Sequence, residues 1–274
     1  MMKISVIIPT YKPQDYLWEC LDSLVKQSFP KEEFEVILVL NGCTEPYKSA
    51  IKQYIAEKMQ DMNVNFIHTD VGGVSNARNI GLDNARGEFI AFIDDDDYIS
   101  PTYLDSLYQN AMGDGTVVLS NAVAFNEGFA DIPLPYQMSD VYKQYSGRKN
   151  IKLFSRVRKY FSGPCMKLIP VSVIKDRRFD VRFKNGEDSL FMFLISDKIE
   201  SLKFSDNTAI YFRRIRKDSA VTSYRSLKEI AQNSMRMIVC YSQIFWHSPA
   251  DYNFGFYFTR ILAAVKTVIN KLVL

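Results

Sequence analysis

The sequence predicts an α/β protein with a mostly parallel central sheet flanked by helices and a helical extension at the C-terminus. Three observations predict it. Short β-rich runs alternate with helix-length amphipathic segments as far as residue 111, the pattern of consecutive β-α-β units. The apolar run Phe89-Ile90-Ala91-Phe92-Ile93 ends in four consecutive aspartates, Asp94 to Asp97. Unpaired carboxylates are too costly to bury in a sheet, so they mark the carboxyl end of a strand. Finally, residues 254–274 repeat apolar side chains at helical spacing.

In chain order, Ile4 to Pro9 reads as the first strand, and Thr10-Tyr11-Lys12-Pro13 turns the chain. Asp15 to Gln27 sets Leu17, Leu21, Leu24 and Val25 at helical spacing. Phe34 to Leu40 is a second strand, ending at Asn41-Gly42. Pro46 to Met59 is helical, with Ile51, Tyr54 and Ile55 on one face. Val64 to His68 is a third strand. Ser75 to Ala85 is a helix capped by Ser75 and closed by Gly87. Phe89 to Ile93 is the fourth strand, and Pro101 to Ala111 the next helix.

Beyond this point, Thr116 to Phe125 reads as one strand and Asn126 to Tyr142, with Pro133 and Pro135, as irregular. Lys143 to Tyr160 carries Lys143, Arg148, Lys149, Lys152, Arg156, Arg158 and Lys159 and no acid. That is either a solvated helix face or a surface for a phosphorylated acceptor or an anionic membrane. Ser162 to Leu168 breaks the region. Glu187-Asp188 opens an apolar helix that runs to Ile195. Tyr211 to Lys217 sets Arg213, Arg214, Arg216 and Lys217 on a loop, with Ser219 and Thr222 after it. Such a loop either covers a diphosphate or is plain surface.

Composition narrows the function classes. The chain has 274 residues, 47% of them apolar, which excludes a disordered protein. A net charge of +3 does not imply nucleic-acid binding. Cys20, Cys43, Cys165 and Cys240 have no paired spacing, against a zinc site or disulfide framework and in keeping with a reducing compartment. His68 and His247 belong to no metal-ligand pattern. No signal peptide is evident before the first strand, and no uncharged stretch is long enough to span a bilayer.

Ligands of open α/β sheets bind outside the carboxyl ends of the strands. Those ends carry Thr10 and Tyr11, then Asn41, then Asp70, then Asp94 to Asp97. Together they suit a nucleotide whose phosphates are held through a metal. Crowded carboxylates repel unless a cation sits among them, and their hard oxygens suit Mg²⁺ or Mn²⁺. A solvated acidic turn is the plainer reading of the aspartates. Neither GxGxxG after the first strand nor GxxxxGK[ST] anywhere offers another phosphate cradle. Glu187 and Asp188 are either a helix start favoured by the dipole or the place of a general base, Asp188.

At these residues the chain resembles a family 2 inverting glycosyltransferase with the GT-A fold, a Rossmann-like sheet. The resemblance rests on Val6-Ile7-Ile8-Pro9-Thr10-Tyr11, Gly73 to Leu82, Ala85 to Asp97, and Gly186-Glu187-Asp188 with Phe191. It covers residues 3 to about 222 and implies bacterial glycan biosynthesis. It implies that Asp94 lies near the donor's ribose or phosphate and that Asp96 holds the metal. It places Pro9, Tyr11 and Arg78 around the nucleotide's base and makes Asp188 the catalytic base. Thr10, Asn41, Asp95 and Arg216 complete the expected donor site. One departure stands out: Leu40-Asn41-Gly42-Cys43 replaces the two acids that usually end the second strand. Asn41 still offers hydrogen bonds to a uracil edge, and UDP is the expected nucleotide.

The expected reaction is a metal-assisted single displacement, with Mg²⁺ or Mn²⁺ as cofactor, moving a sugar from a UDP-sugar to a hydroxyl of a glycan or lipid-linked acceptor. The alternatives are a metal-dependent sugar nucleotidyltransferase, or an inactive protein that binds sugar nucleotides or an assembly partner. Residues 1–222 are expected to form the catalytic domain, with a donor half to about 125 and an acceptor half from about 126. Residues 223–274 form the extension. In its last helix Tyr257, Ile261, Ala264, Val265, Val268, Ile269, Leu272 and Val273 share one face. Thr259, Arg260, Lys266, Thr267, Asn270 and Lys271 share the other. That separation suits a helix lying in a membrane interface, or one packed on the catalytic domain or a second copy. The expected location is the cytoplasm, at the inner face of the cell membrane.

Overall fold

In a computed structural model, residues 1–111, 113–148, 150–153, 155–216 and 226–273 are described. The first half alternates as expected: β1 (Ile4–Thr10), α1 (Tyr16–Val25), β2 (Phe34–Asn41), α2 (Tyr47–Lys58), β3 (Asn63–Thr69), α3 (Val74–Asn84) and β4 (Phe89–Phe92). β1 and β2 are buried at every position, because helices cover both faces of a parallel sheet and leave no solvated side. That is why both read as unbroken apolar runs rather than as alternations.

The second half is more broken. It runs β5 (Tyr98–Ile99), α4 (Tyr103–Gln109), β6 (Thr116–Leu119), β7 (Asn121–Asn126), β8 (Pro133–Leu134), α5 (Gln137–Tyr145), a 3₁₀ turn (Arg156–Ser162), β9 (Lys167–Pro170) and α6 (Val171–Ile174). Then come α7 (Glu187–Leu194), β10 (Ser201–Phe204), β11 (Ile210–Ile215), α8 (Leu227–His247) and α9 (Phe254–Val273). Seven strands form the main sheet in the order β10-β6-β9-β4-β1-β2-β3. β9 alone runs antiparallel, against β4 and β6. A small second sheet, β5-β11-β7-β8, stands beside the carboxyl end of β4.

Several segments differ from the sequence expectation. Thr116 to Phe125 is not one strand. The chain leaves the main sheet at Ser120, whose N–H donates to Met166 O at 3.0 Å, and enters the second sheet as β7. Apolar periodicity cannot register such a change of partner. The stretch expected to be irregular holds β8 and most of α5. The basic region is not one helix: α5 ends at Tyr145 and the 3₁₀ turn begins at Arg156. As far as Ile215 the arginine-rich segment is not a loop but β11, parallel to β7 and antiparallel to β5. Lys149, Lys217, Ser219, Thr222 and the boundary at 222 lie outside the described residues.

The C-terminal helices form a hairpin. Ser226 and Glu229 make a reciprocal capping box that starts α8. Phe256 of α9 is fully buried in the main core. Arg260, expected on the solvent face, is instead 8% exposed, with its guanidinium on backbone carbonyls of the 3₁₀ turn. The expected single apolar face is divided. Tyr257 and Ile261 pack inward. Val265, Ile269 and Leu272 stay exposed, together with Phe254, Phe258 and Leu262.

At the amino edge of the sheet a buried carboxylate locks three segments. Glu35 of β2 accepts from Ser5 Oγ at 2.7 Å, from Arg86 N at 2.7 Å, and from Arg86 Nε and Nη2 at 2.9 and 2.7 Å. A buried charge persists only when its oxygens are satisfied in this way. Gly87 passes between these groups so closely that a Cβ there would stand 2.5 Å from Ser5 N and 2.7 Å from the Ile4 carbonyl carbon. Both contacts are backbone and cannot swing aside. Gly87→Ala is therefore expected to cost about 2–3 kcal/mol, measured by the denaturant midpoint. A variant as stable as the parent would show that β4 can shift along β1.

Candidate active site

The chain leaves β4 in a tight turn, Asp97 N donating to Asp94 O at 3.1 Å. The turn sends the four carboxylates to four different partners. Asp94 Oδ1 accepts from Arg78 Nη2 at 2.8 Å. Asp95 accepts from the Thr10 hydroxyl. Asp96 Oδ2 accepts from Arg216 Nε at 2.7 Å and Nη2 at 2.6 Å. Asp97 turns inward and accepts from Arg214 N at 2.8 Å. β11 and the residue that follows it thus bring two arginines, Arg214 and Arg216, to the aspartate turn from the second sheet. Arg214 also donates to Asp96 O at 2.9 Å and to Glu19 Oε2 at 2.6 Å. Arg216 lies over the Tyr16 ring, 4.5 Å from its centre, a contact that favours a cation.

Burial dominates the electrostatics. It pushes the Asp95 carboxyl up to about 7. It raises Asp96, with Asp94 adding to the effect and Arg216 opposing it. It raises Asp97 well above the carboxylate range, reinforced by Asp96 and Asp94. A cluster that resists full ionisation on its own gains from a bound cation. The donor set fits one. Oxygens of Asp94, Asp96 and Asp97 lie within 4.8 Å of one another. Arg216 occupies only Oδ2 of Asp96 and Arg78 only Oδ1 of Asp94. The other oxygen of each carries no hydrogen bond to a described residue. An all-oxygen set suits Mg²⁺ or Mn²⁺.

Arg78 organises the far side. It sits in α3, is 3% exposed, and donates from Nη1 to Asp188 Oδ1 at 2.6 Å while Nη2 holds Asp94. Burial works to lower its pKa, and Asp188 and Asp94 outweigh it, so the net shift is upward. The resemblance put Arg78 at the nucleotide's base. In the structure its two terminal nitrogens reach carboxylates, Asp188 at the start of α7 and Asp94 at the aspartate turn. Its neighbour Asn79 grips Phe179, donating to Phe179 O at 2.9 Å and accepting from Phe179 N at 2.8 Å. Phe179 stacks on Phe191 of α7 at 3.9 Å. Two adjacent residues of α3 therefore fix both Asp188 and the helix that carries it. Burial raises the Asp188 carboxyl, with Arg78 opposing.

At the ends of β1 and β2 the chain builds a platform. Pro9 and Thr10 are buried, and Tyr11 is 53% exposed. Lys12 Nζ lies 5.3 Å from the centre of the Tyr11 ring. Gly42, at φ +63°, leaves only 2.8 Å between an added Cβ and Gly72 Cα, so glycine is needed there. Asn41 is 3% exposed. Its amide donates to Thr10 O at 2.7 Å and accepts from Gly73 N at 2.8 Å. It ties the platform to the start of α3, one turn before Arg78. Asp70, expected at the converging strand ends, stays in solvent, its carboxylate 90% exposed beside His68.

Sequence reasoning passed over Glu19, Tyr16 and Tyr211. Tyr211 Oη accepts from Asp94 N at 3.2 Å. It also passed over Lys167, which is fully buried. A lysine inside the apolar run Met166-Lys167-Leu168-Ile169 was the available signal. Arg213 donates to Tyr136 Oη at 3.0 Å, with Asp97 and Asp94 near enough to favour its charge.

Residues 5–178 match the pattern of glycosyl transferase family 2. The chain is 28% identical over 231 residues to the glycosyltransferase GlyA of Streptococcus pneumoniae, covering 79% of this chain and 31% of that protein. It thus spans about a third of that relative's length. It is 27% identical over 256 residues to the GalNAc(5)-diNAcBac-PP-undecaprenol beta-1,3-glucosyltransferase of Campylobacter jejuni, covering 86% of this chain and 76% of that one. Among solved structures, Staphylococcus aureus TarS residues 1–349 in complex with UDP-GlcNAc superimposes with a TM-score of 0.71 at 24% identity. That overlap takes in 99% of this chain and 72% of TarS 1–349, and it shows a shared GT-A fold. With the family pattern spanning more than half of its residues, the chain belongs to glycosyl transferase family 2.

Proposed function

We propose that the protein transfers a sugar from a nucleotide-diphosphate sugar, UDP-linked in the first instance, to a hydroxyl of a glycan or lipid-linked acceptor, with inversion. One observation carries the reading: a single buried guanidinium holds Asp94, at the aspartate turn, and Asp188, at the start of α7. A group suited to the leaving diphosphate and a group suited to the attacking hydroxyl thus stand on two sides of one small space. The TarS structure binds UDP-GlcNAc. The Campylobacter relative is named for a β linkage, the outcome of inverting the α linkage common in glucose donors.

The roles follow from the chemistry. Tyr11 offers an exposed ring for the nucleotide's base to stack on, with Pro9 and Thr10 beneath it. Asn41 shapes that platform through Thr10 and Gly73 and retains one donor and one acceptor site for a base edge. Asp94 and Asp95 face the ribose and diphosphate. Mg²⁺ or Mn²⁺ on Asp96 would neutralise the diphosphate as it leaves, and Arg216 beside it adds a cationic side chain. Asp188 takes the proton of the acceptor hydroxyl. Arg78 occupies its Oδ1 and leaves Oδ2 for that proton, and burial keeps the carboxylate a better base than a solvated one. Attack on an oxocarbenium-like carbon needs no covalent intermediate.

The proposed partner surface is the outward stripe of α9. Phe258, Leu262, Val265 and Ile269 are exposed beside Lys266, and no acidic residue occurs in the helix. An apolar stripe with cations alongside fits an anionic lipid surface. The Campylobacter relative is named for an undecaprenol-linked acceptor. Among the described residues no helix is long and apolar enough to cross a membrane.

Three outcomes test these roles. Asp96→Ala is expected to lose transfer and Mn²⁺-dependent UDP binding together, followed by calorimetry with and without the ion. Unchanged metal dependence would remove Asp96 as the ligand. Asp188→Asn should keep donor affinity and lose roughly 10²–10⁴-fold in transfer rate, measured on the folded variant. Transfer near the parent rate would remove Asp188 as base. Leu262→Glu with Ile269→Glu should abolish co-sedimentation with anionic liposomes and leave donor hydrolysis intact. A parent protein that ignores such liposomes but sediments as a dimer would make the stripe a contact between copies instead.

A further inference from the structure

Two buried basic side chains hold the segment that runs past Asp188, almost entirely through its backbone carbonyls. Lys167 Nζ, fully buried, donates to the carbonyl oxygens of Tyr160, Gly163 and Cys165 at 2.9, 2.6 and 2.6 Å. Arg260 reaches across from α9 and donates from Nη2 to Phe161 O at 2.6 Å and Arg158 O at 3.3 Å, and from Nη1 to Ser162 Oγ at 3.5 Å. Five carbonyls between residues 158 and 165 are thus held by two side chains. An ammonium has three donors, and all three are used. Desolvating a cation costs several kcal/mol unless such bonds repay it. A segment held this way has little freedom, although Ser162 is exposed and Gly163 only half-buried.

Gly163 lies against the candidate base. A Cβ on Gly163 would stand 3.9 Å from Asp188 Oδ2. That is the carboxylate oxygen Arg78 leaves open, since Nη1 takes Oδ1. The backbone of Gly163 is extended, φ −150° and ψ 166°, a conformation any residue adopts. Neither backbone strain nor a core clash therefore requires glycine here. What the missing side chain does is leave room beside Oδ2.

We propose that the Gly163 turn, clamped by Lys167 and Arg260, is the acceptor-side wall of the active site and sets how an acceptor hydroxyl reaches Asp188 Oδ2. The proposal rests on Asp188 being the base. A sugar hydroxyl brings its ring carbon and neighbouring substituents with it, and they need the space that a Gly163 side chain would fill. Water needs less. Gly163 is then an acceptor-specificity residue, and Lys167 and Arg260 are positioning residues that act through the turn.

The two kinds of acceptor separate in one experiment. The parent, Gly163→Ala and Lys167→Met are compared for UDP affinity with Mn²⁺ by calorimetry, for UDP-GlcNAc hydrolysis by water, and for transfer to a panel of p-nitrophenyl glycosides. Gly163→Ala should bind UDP and hydrolyse donor as the parent does, and lose roughly tenfold or more in kcat/KM for the glycoside. Lys167→Met should lower the ratio of transfer to hydrolysis in the same direction. A merely structural lysine would lower thermal stability and leave that ratio unchanged. Should Lys167→Met fail to fold, Gly163→Ala alone decides. Undiminished transfer in Gly163→Ala, or an equal fall in transfer and hydrolysis, overturns the proposal. Asp188→Asn, run alongside, separates the two readings, because full transfer in that variant removes the base itself rather than the wall.

Discussion

The guanidinium of Arg78 sits between two carboxylates that come from opposite halves of the chain. Much of the arrangement around it can be traced to that contact. A cation this deeply buried survives only with its partners in place, and removing one member of such a pair costs on the order of 3–5 kcal/mol. Neighbouring contacts fix the elements that carry it. Asn41 pins the start of α3 through Gly73, one turn before Arg78. Asn79, the next residue, pins Phe179. The Phe179 ring lies 5.4 Å from the guanidinium carbon and stacks on α7. The end of β2, the start of α3 and the helix bearing Asp188 thus behave as one unit.

The donor side of the fold was legible because its signals are local. Each strand from β1 to β4 is a short apolar run, and each helix between them has its own periodicity. The four aspartates announce a strand end through charge alone. Asp96 and Asp188 were singled out by residue type and place in the pattern, and the fold brings their elements to one edge. Arg78 was found, but its partners were not, because they lie 16 and 110 positions away in sequence. A resemblance can supply a residue's importance without supplying what it touches.

The acceptor side was legible only in part, for a physical reason. β6 and β7 form one apolar run, and nothing in their spacing records that Ser120 hands the chain from one sheet to the other. β11 was hidden because Arg213 and Arg214 within it, and Arg216 just after it, reach the Tyr136 hydroxyl, Glu19 and Asp96 rather than water. Arg260 was misplaced for the same cause. Helical projection sorts residues by polarity, whereas a buried cation is paid for by carbonyls far away in sequence. Charged residues inside an otherwise apolar pattern were among the places where sequence reasoning and structure parted.

The reach of Arg260 from α9 to Phe161 bears on how such a protein can be recombined. The chain looks modular, with a two-helix appendage following a complete sheet. A chimera cut between β11 and α8 would bring in a foreign hairpin and with it a foreign residue at position 260. The carbonyls of Arg158 and Phe161 would then lose their shared donor. Exchange of the hairpin is therefore coupled to residues 158–165, and the two must travel together if a graft is to inherit the geometry of its parent.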